Sequence, residues 1–221
     1  MKAFITDYDG VVINIEPQKA QAFGEMLNKY WKVDTEEAGK FWIATGGISR
    51  RYKFDYFYLQ QFQKSLPDDE YRTIENDYST LLKNKFYPKV RLLPEAKEML
   101  SFARGNFDYV FVSSGVPMKE IQYLVKLNGV NDFFDKTYGT DKYFASKEDH
   151  FKEIVQKYSV NSIVFVADGP EDMRVGKKFD AFNIGVLSNH SQSELLNSGA
   201  NEVCGAMDVI SVIKRWLSFN K

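Results

Sequence analysis

The stretch Phe4-Ile5-Thr6-Asp7-Tyr8-Asp9-Gly10-Val11-Val12 is an apolar strand that runs into two acidic residues one position apart and then a glycine. In an extended strand, residues two apart point to the same side, so Asp7 and Asp9 converge where the strand gives way to a loop. Converged carboxylates repel each other unless a metal or a shared proton offsets the charge. The pair therefore reads as a hard-cation site in which one carboxylate is placed to act as a nucleophile. Aspartate and glycine are also ordinary turn residues, so a plain surface turn is the competing reading of this stretch.

Two more apolar runs, Tyr-Val-Phe-Val from Tyr109 and Ile-Val-Phe-Val from Ile163, are continuous rather than alternating. Continuous runs indicate strands buried on both faces, hence a parallel sheet sandwiched by helices. Around them the hydrophobic spacing predicts helices over 94–104, 117–127, 151–158, 171–179 and 207–217, and a further strand over 182–186. Between the first strand and residue 89 the chain changes character and becomes rich in Tyr, Phe, Lys, Gln and Glu, with no run resembling a buried strand. Helices are expected over 16–31, 35–42, 49–66 and 68–86, with Pro17 in the first turn of the first and breaks at Gly46-Gly47 and Pro67. The aromatic residues of this insert, Tyr52, Phe54, Tyr56, Phe57 and Tyr58, read as packing within a small bundle. The expected fold is thus α/β, a Rossmann-like parallel sheet with helices on both faces. Residues 1–14 and 90–221 form its core and 15–89 an inserted all-helical domain.

The totals limit the function classes. A chain of 221 residues supports a sizeable core, and 44% hydrophobic with 27% charged residues is ordinary globular composition. A formal net charge of −1 gives no general attraction to nucleic acid or to an acidic membrane. With Cys204 as the single cysteine no internal disulfide forms, and Cys204 reads as a small buried hydrophobe. The two histidines, His150 and His190, are too few for a histidine-rich metal site. There is no signal-peptide pattern and no apolar run of membrane-spanning length, so a cytoplasmic protein is expected.

Ligands of open parallel sheets bind beyond the carboxyl ends of the strands. Three strands here end in polar chemistry at that edge: the first in Asp7 and Asp9, the second in Ser113-Ser114-Gly115, the third in Asp168 with Asp172 four residues on. Carboxylates, a hydroxyl and a lysine at one edge suit phosphoryl transfer with a divalent cation.

Taken in order, Asp7-Tyr8-Asp9-Gly10-Val11, Val112-Ser113-Ser114-Gly115, Ser146-Lys147 and Val166-Ala167-Asp168-Gly169-Pro170-Glu171-Asp172 resemble the four motifs of the haloacid dehalogenase superfamily. The helical insert after the first motif resembles the phosphoglycolate phosphatase and β-phosphoglucomutase branch, in which it forms a mobile cap. Val11 departs from the threonine common at its position, and Lys147 lacks the usual following proline, which leaves Lys142 as the alternative lysine. The resemblance implies that Asp7 is the nucleophile and Asp9 the general acid and then base. It implies Mg2+ held by Asp7, the Asp9 main-chain carbonyl, Asp168 and Asp172, with Ser113 and Lys147 gripping the transferring phosphoryl group beside Ser114 and Gly115. Gly46-Gly47 permits a tight turn and Ser49 can cap the helix that follows, so Arg50 is expected to project from a helix start at the cap rim. The competing reading is that Arg50 and Arg51 only decorate the cap surface. The resemblance implies that Arg50 reads a second anionic group of the substrate.

The expected activity is hydrolysis of a small phosphorylated metabolite by a monomer or homodimer, with no nucleic-acid or membrane partner. A sugar-phosphate mutase is the nearest alternative, but Lys19 stands where the resembling mutases carry a cap histidine. Dehalogenases of the superfamily keep no acid at the position of Asp9. A silent binding module that retains the fold would be expected to lose its carboxylates first, and a receiver domain would lack both the helical insert and the fourth motif.

Overall fold

The computed structural model describes residues 1–46 and 48–219; Gly47, half of the expected Gly46-Gly47 break, lies outside the described residues. The chain divides into two compact units, Met1–Asn14 together with the chain from Arg91 onward, and Ile15–Val90.

In the first unit, β1 (Lys2–Thr6) occupies the middle of a parallel sheet because it is apolar at every interior position and buried throughout them. On one side it pairs with β2 (Tyr109–Pro117), which pairs with β3 (Lys136–Thr140). On the other side follow β4 (Ser162–Ala167), β5 (Phe182–Val186) and β6 (Glu202–Cys204), giving the order β3-β2-β1-β4-β5-β6 with every pairing parallel. Thr6 is level with Val112 on β2 and Val166 on β4, so Asp7 stands level with Ser113 and one step before Asp168. The motif residues are brought to one sheet edge by register. Chain direction in the sheet order reverses at β1, which is where such sheets open a crevice.

Helices cover both faces. On one, Ala3, Ile5, Phe111 and Phe165 pack against Phe151 and Met173, and the Phe151 and Phe165 rings lie 4.9 Å apart. Those two contacts come from α7 (Lys147–Tyr158) and α8 (Pro170–Lys178) in the chain's helix numbering, in which α1–α4 belong to the second unit and α5 (Ala96–Asn106) and α6 (Met118–Leu127) precede them. On the opposite face Phe4 meets Phe107 at 5.6 Å, and Phe107 stacks on Trp216 of α10 (Val209–Phe219).

Sequence periodicity leaves β3, β6 and the short α9 (Gln192–Asn197) unassigned. Both missed strands are sheet edges. Lys-Thr-Tyr-Gly-Thr and Glu-Val-Cys are short, polar and paired on one side only, so neither carries the continuous apolar run of a central strand. Cys204 lies on β6 and is half-buried rather than buried, with burial pushing its thiol up to about 11. A second departure is α7, which begins at Lys147 instead of 151. Ser146 and Asp149 close a capping box across its first turn.

The second unit consists of α1 (Glu16–Trp31), α2 (Thr35–Ala44), α3 (Arg50–Phe62) and α4 (Asp68–Leu81), and α4 runs on into a π-helical turn over Leu82–Phe86. Asp34 caps α2 by accepting from the N–H groups of Glu36 and Glu37, and Ser49 caps α3 by accepting from that of Tyr52. The helix α3 stops at Phe62, four residues short of expectation, because Gln63 adopts the left-handed conformation. Phe23 is the hub: its ring meets Trp42, Phe54 and Phe57 at 5.1, 5.0 and 5.9 Å. The aromatic residues expected to pack within the bundle divide, since Phe54, Phe57 and Tyr58 are buried whereas Tyr52 and Tyr56 are exposed. No helix among the described residues is long and apolar enough to cross a membrane.

Because Phe23 is wholly buried, its ring cannot be removed without a cavity. Phe23→Ala is expected to cost about 3–5 kcal/mol of stability. Urea unfolding followed by the fluorescence of Trp31 and Trp42 measures it, and a loss under about 1 kcal/mol would remove Phe23 as the hub.

Candidate active site

Where β1 ends, the chain closes a tight loop: the Val12 and Ile13 N–H groups donate to the Tyr8 carbonyl, and that of Gly10 to the Ile13 carbonyl. Gly10 takes φ +76°, and a Cβ there would stand 1.9 Å from Asp168 Oδ2. Glycine is required at this position on two counts, backbone conformation and the seat of the Asp168 carboxylate.

Asp7 Oδ1 accepts from the Tyr8 N–H at 2.6 Å, and its main-chain carbonyl accepts from the Thr6 hydroxyl at 2.7 Å. Lys147 Nζ donates to Asp7 Oδ2 at 2.7 Å and lies 2.6 Å from Asp172 Oδ1. Asp168 Oδ2 accepts from Ser188 Oγ at 2.5 Å. Ligand oxygens of Asp7, Asp168 and Asp172 come within 4.8 Å of one another. All four aspartates of the motifs are buried, Asp172 to 1% exposure.

Burial raises the Asp7 carboxyl well above its ordinary range; Lys147 opposes the rise, while Asp172, Asp168 and Asp9 add to it. For Lys147, burial works against the charge, but Asp172 and Asp7 outweigh it and hold the ammonium firmly protonated. One ammonium among these carboxylates leaves the site short of positive charge. A divalent cation fits on the donor set, three close carboxylates being what a hard cation takes. It also fits on a single atom: Asp172 Oδ2 is buried and has no hydrogen-bond partner among the described residues.

Of the residues expected to share the site, Asp7, Asp168, Asp172 and Lys147 are in one cluster. The Asp9 carboxylate is not one of the three that cluster, although Asp9 is close enough to act on Asp7. Ser113 and Ser114 are fully buried on β2, which extends four residues beyond the expected strand 109–113 and shifts register against β3 between Ser113 and Pro117. Ser114 Oγ accepts from the Val116 N–H, and Gly115 is open around its Cα. Lys142 is exposed and lies over the Tyr143 ring, so Lys147 is the lysine of the cluster.

Arg50 belongs to the helical unit, and its side chain does not project from a rim. It is buried, with the guanidinium 4.7 Å above the Tyr78 ring, donating to Ser79 Oγ at 2.9 Å and 3.7 Å from Glu75. The neighbouring Arg51 pairs with Asp55 and Asp68 instead.

Sequence reasoning missed Thr6, His150 and Ser188, whose side chains contact the motif residues. For His150 there was a signal in its spacing, three residues after Lys147 and so on the same helix face. Ser188 follows a strand end by two residues, a position that carries no signal of its own.

Residues 1–180 match the sequence model of a family described as haloacid dehalogenase-like hydrolase. No curated protein matches the chain in sequence. Among solved structures, one described as a predicted phosphatase from Clostridium acetobutylicum is 18% identical with a TM-score of 0.78, covering 97% of this chain and 98% of its own. A predicted phosphoglycolate phosphatase from Haemophilus somnus is 17% identical with a TM-score of 0.77, covering 96% and 98%. A candidate β-phosphoglucomutase from Bacteroides vulgatus is 17% identical with a TM-score of 0.80, covering 99% and 89%. At such identities the likeness establishes the fold.

Since a methyl group at Gly10 would collide with the Asp168 carboxylate, Gly10→Ala is expected to weaken Mn2+ binding about 10–100-fold, the usual effect of disturbing support around a metal ligand. Electron paramagnetic resonance titration reads the free Mn2+, and unchanged affinity would mean that Asp168 is not a ligand.

Proposed function

The chain belongs to the haloacid dehalogenase-like hydrolase family, and from that premise we propose that it is a Mg2+-dependent phosphatase acting on a small phosphomonoester through a phosphorylated Asp7. The observation that carries this reading is the buried contact of Lys147 with both Asp7 and Asp172 beside Asp168.

Mg2+ would be held by Asp7, the Asp9 main-chain carbonyl, Asp168 and Asp172, and when bound it supplies charge neutralisation for the carboxylates and the phosphoryl oxygens. Asp7 attacks phosphorus; its carboxylate oxygen forms the new P–O bond as the ester P–O bond breaks. Asp9 gives its proton to the leaving alcohol oxygen. It then takes a proton from water, whose oxygen attacks phosphorus and releases Asp7 with inorganic phosphate. Lys147 opposes the rise that burial imposes on the Asp7 carboxyl, and its fixed charge faces the phosphoryl oxygens. Ser113, Ser114 and Gly115 line the phosphoryl group from the end of β2.

In the same proposal the helical unit is the cap that selects the leaving group. Three of its cations, Lys19, Arg50 and Lys53, are buried, with Lys53 over the Trp42 ring and Arg50 over that of Tyr78. This supports a substrate with a second anionic group. The name of the Bacteroides vulgatus neighbour keeps a mutase as the second reading; transfer of phosphate between positions of one sugar, rather than its release, would establish it.

Asp7→Asn is expected to abolish Mg2+-dependent hydrolysis of p-nitrophenyl phosphate, and Asp9→Asn to lower kcat about 10²–10⁴-fold while metal still binds. Activity of the Asp7→Asn protein, or full activity in excess EDTA, would refute the mechanism.

Arg50→Ala should raise KM for esters bearing a carboxylate or second phosphate while sparing uncharged esters. Equal losses for both classes in a phosphomonoester screen would leave Arg50 a packing residue for Tyr78 and Ser79.

A further inference from the structure

His150 is wholly buried and belongs to none of the four motifs. Its Nε2 lies 3.2 Å from the Gly139 carbonyl oxygen and its Nδ1 2.9 Å from Ser113 Oγ. A carbonyl oxygen only accepts, so Nε2 carries the proton. In the neutral ring Nδ1 is then an acceptor, and the Ser113 hydroxyl donates to it. The ring is fixed in this pose by Tyr138, which stacks on it at 5.3 Å, and by Phe144, edge-on at 5.5 Å.

We propose that His150 is a positioning residue that sets which way the Ser113 hydroxyl points, so that binding of a phosphoryl anion at Ser113 is linked to uptake of one proton on His150 Nδ1. The inference rests on the reading above that Ser113 lines the phosphoryl group. Before substrate arrives, Ser113 spends its hydrogen on Nδ1 and offers only lone pairs. A phosphoryl oxygen also offers only lone pairs, and the two repel. When Nδ1 takes a proton from solvent, Nδ1–H donates to Ser113 Oγ. Ser113 keeps its own hydrogen and turns it to the phosphoryl oxygen, while Nε2–H stays on Gly139. One proton enters from solvent, none leaves, and no bond to phosphorus changes.

The charged surroundings set the direction of the linkage. Burial holds His150 down at about 4; the Gly139 bond opposes this, Lys147 on the same helix reinforces it, and Asp149 on that helix and Asp141 after β3 oppose it. From β3 the facing group is Tyr138, whose hydroxyl burial raises far above neutrality and whose hydrogen goes to Glu153. From β2 the facing group is Ser113, which does not titrate. His150 is therefore neutral near neutral pH until an anion arrives, and binding tightens as pH falls.

Tungstate, a tetrahedral dianion, tests this without turnover. With Mg2+ held constant, its affinity for the wild-type protein is expected to rise as pH falls from about 8 to about 5.5, by up to about tenfold per unit where a full proton is taken up. In His150→Phe the slope should be shallower by the proton that His150 would take up, because the ring no longer titrates and Ser113 is free to turn. Equal slopes in the two proteins, or no tungstate binding at any pH, would overturn the proposal. Histidine side-chain ¹⁵N spectra of the wild type give a second reading, with His190→Gln identifying the His150 signals. Nδ1 should be unprotonated without tungstate and protonated with it; a bound state with Nδ1 still unprotonated would overturn the proposal even if His150→Phe failed to fold. Loss of the Asp7 mechanism is read separately, in hydrolysis of p-nitrophenyl phosphate.

Discussion

The contact of Lys147 with Asp7 and Asp172 is the constraint around which the first unit is built. An ion taken out of water costs several kcal/mol even after relaxation, and a pair repays that only with close geometry. Here a single ammonium serves two carboxylates, with Asp168 and Asp9 beside them. The positions that make this tolerable are far apart in sequence, and only the parallel register brings Asp7 level with Ser113 and one step before Asp168. Charge is still unbalanced, which is why the donor set and the lone Asp172 Oδ2 favour a cation.

The sheet explains how much of this was legible in the chain. Central strands such as β1, β2 and β4 are buried on both faces, so their sequences are continuously apolar and stand out. Their ends carry the motif residues, which stood out with them. Edge strands are paired once and half-exposed. The short polar runs of β3 and β6 satisfy that environment, and nothing in their composition separates them from loops.

Side-chain partners were legible only where spacing along one element fixes them. Lys147 and His150 share a helix face, but that His150 meets Ser113 depends on how α7 packs across β2, a tertiary fact with no local trace. Ser188 and Asp168 belong to the ends of neighbouring strands and meet for the same reason. Arg50 and Arg51 show the opposite case: two adjacent, chemically identical residues at one helix start, of which the first is buried over Tyr78 and the second paired at the surface. A rotation of about 100° per residue separates them, and the sequence alone could not say which face was turned inward.

The two units also differ in the charges they bury. The first unit buries the four motif aspartates around one ammonium, that of Lys147. Among the described residues of the helical unit the buried charges are Lys19, Arg50 and Lys53; Arg50 and Lys53 lie over the Tyr78 and Trp42 rings, and Lys19 lies 3.7 Å from Glu16. Each is matched within the unit, Lys19 by Glu16, Arg50 by Ser79 and Glu75, and Lys53 by the Trp42 carbonyl, because an unmatched buried ion would leave a large penalty standing. The clustered carboxylates of the first unit fall within motifs that stand out in the sequence, whereas the buried cations of the helical unit lie on helix faces whose inward turn only the packing reveals.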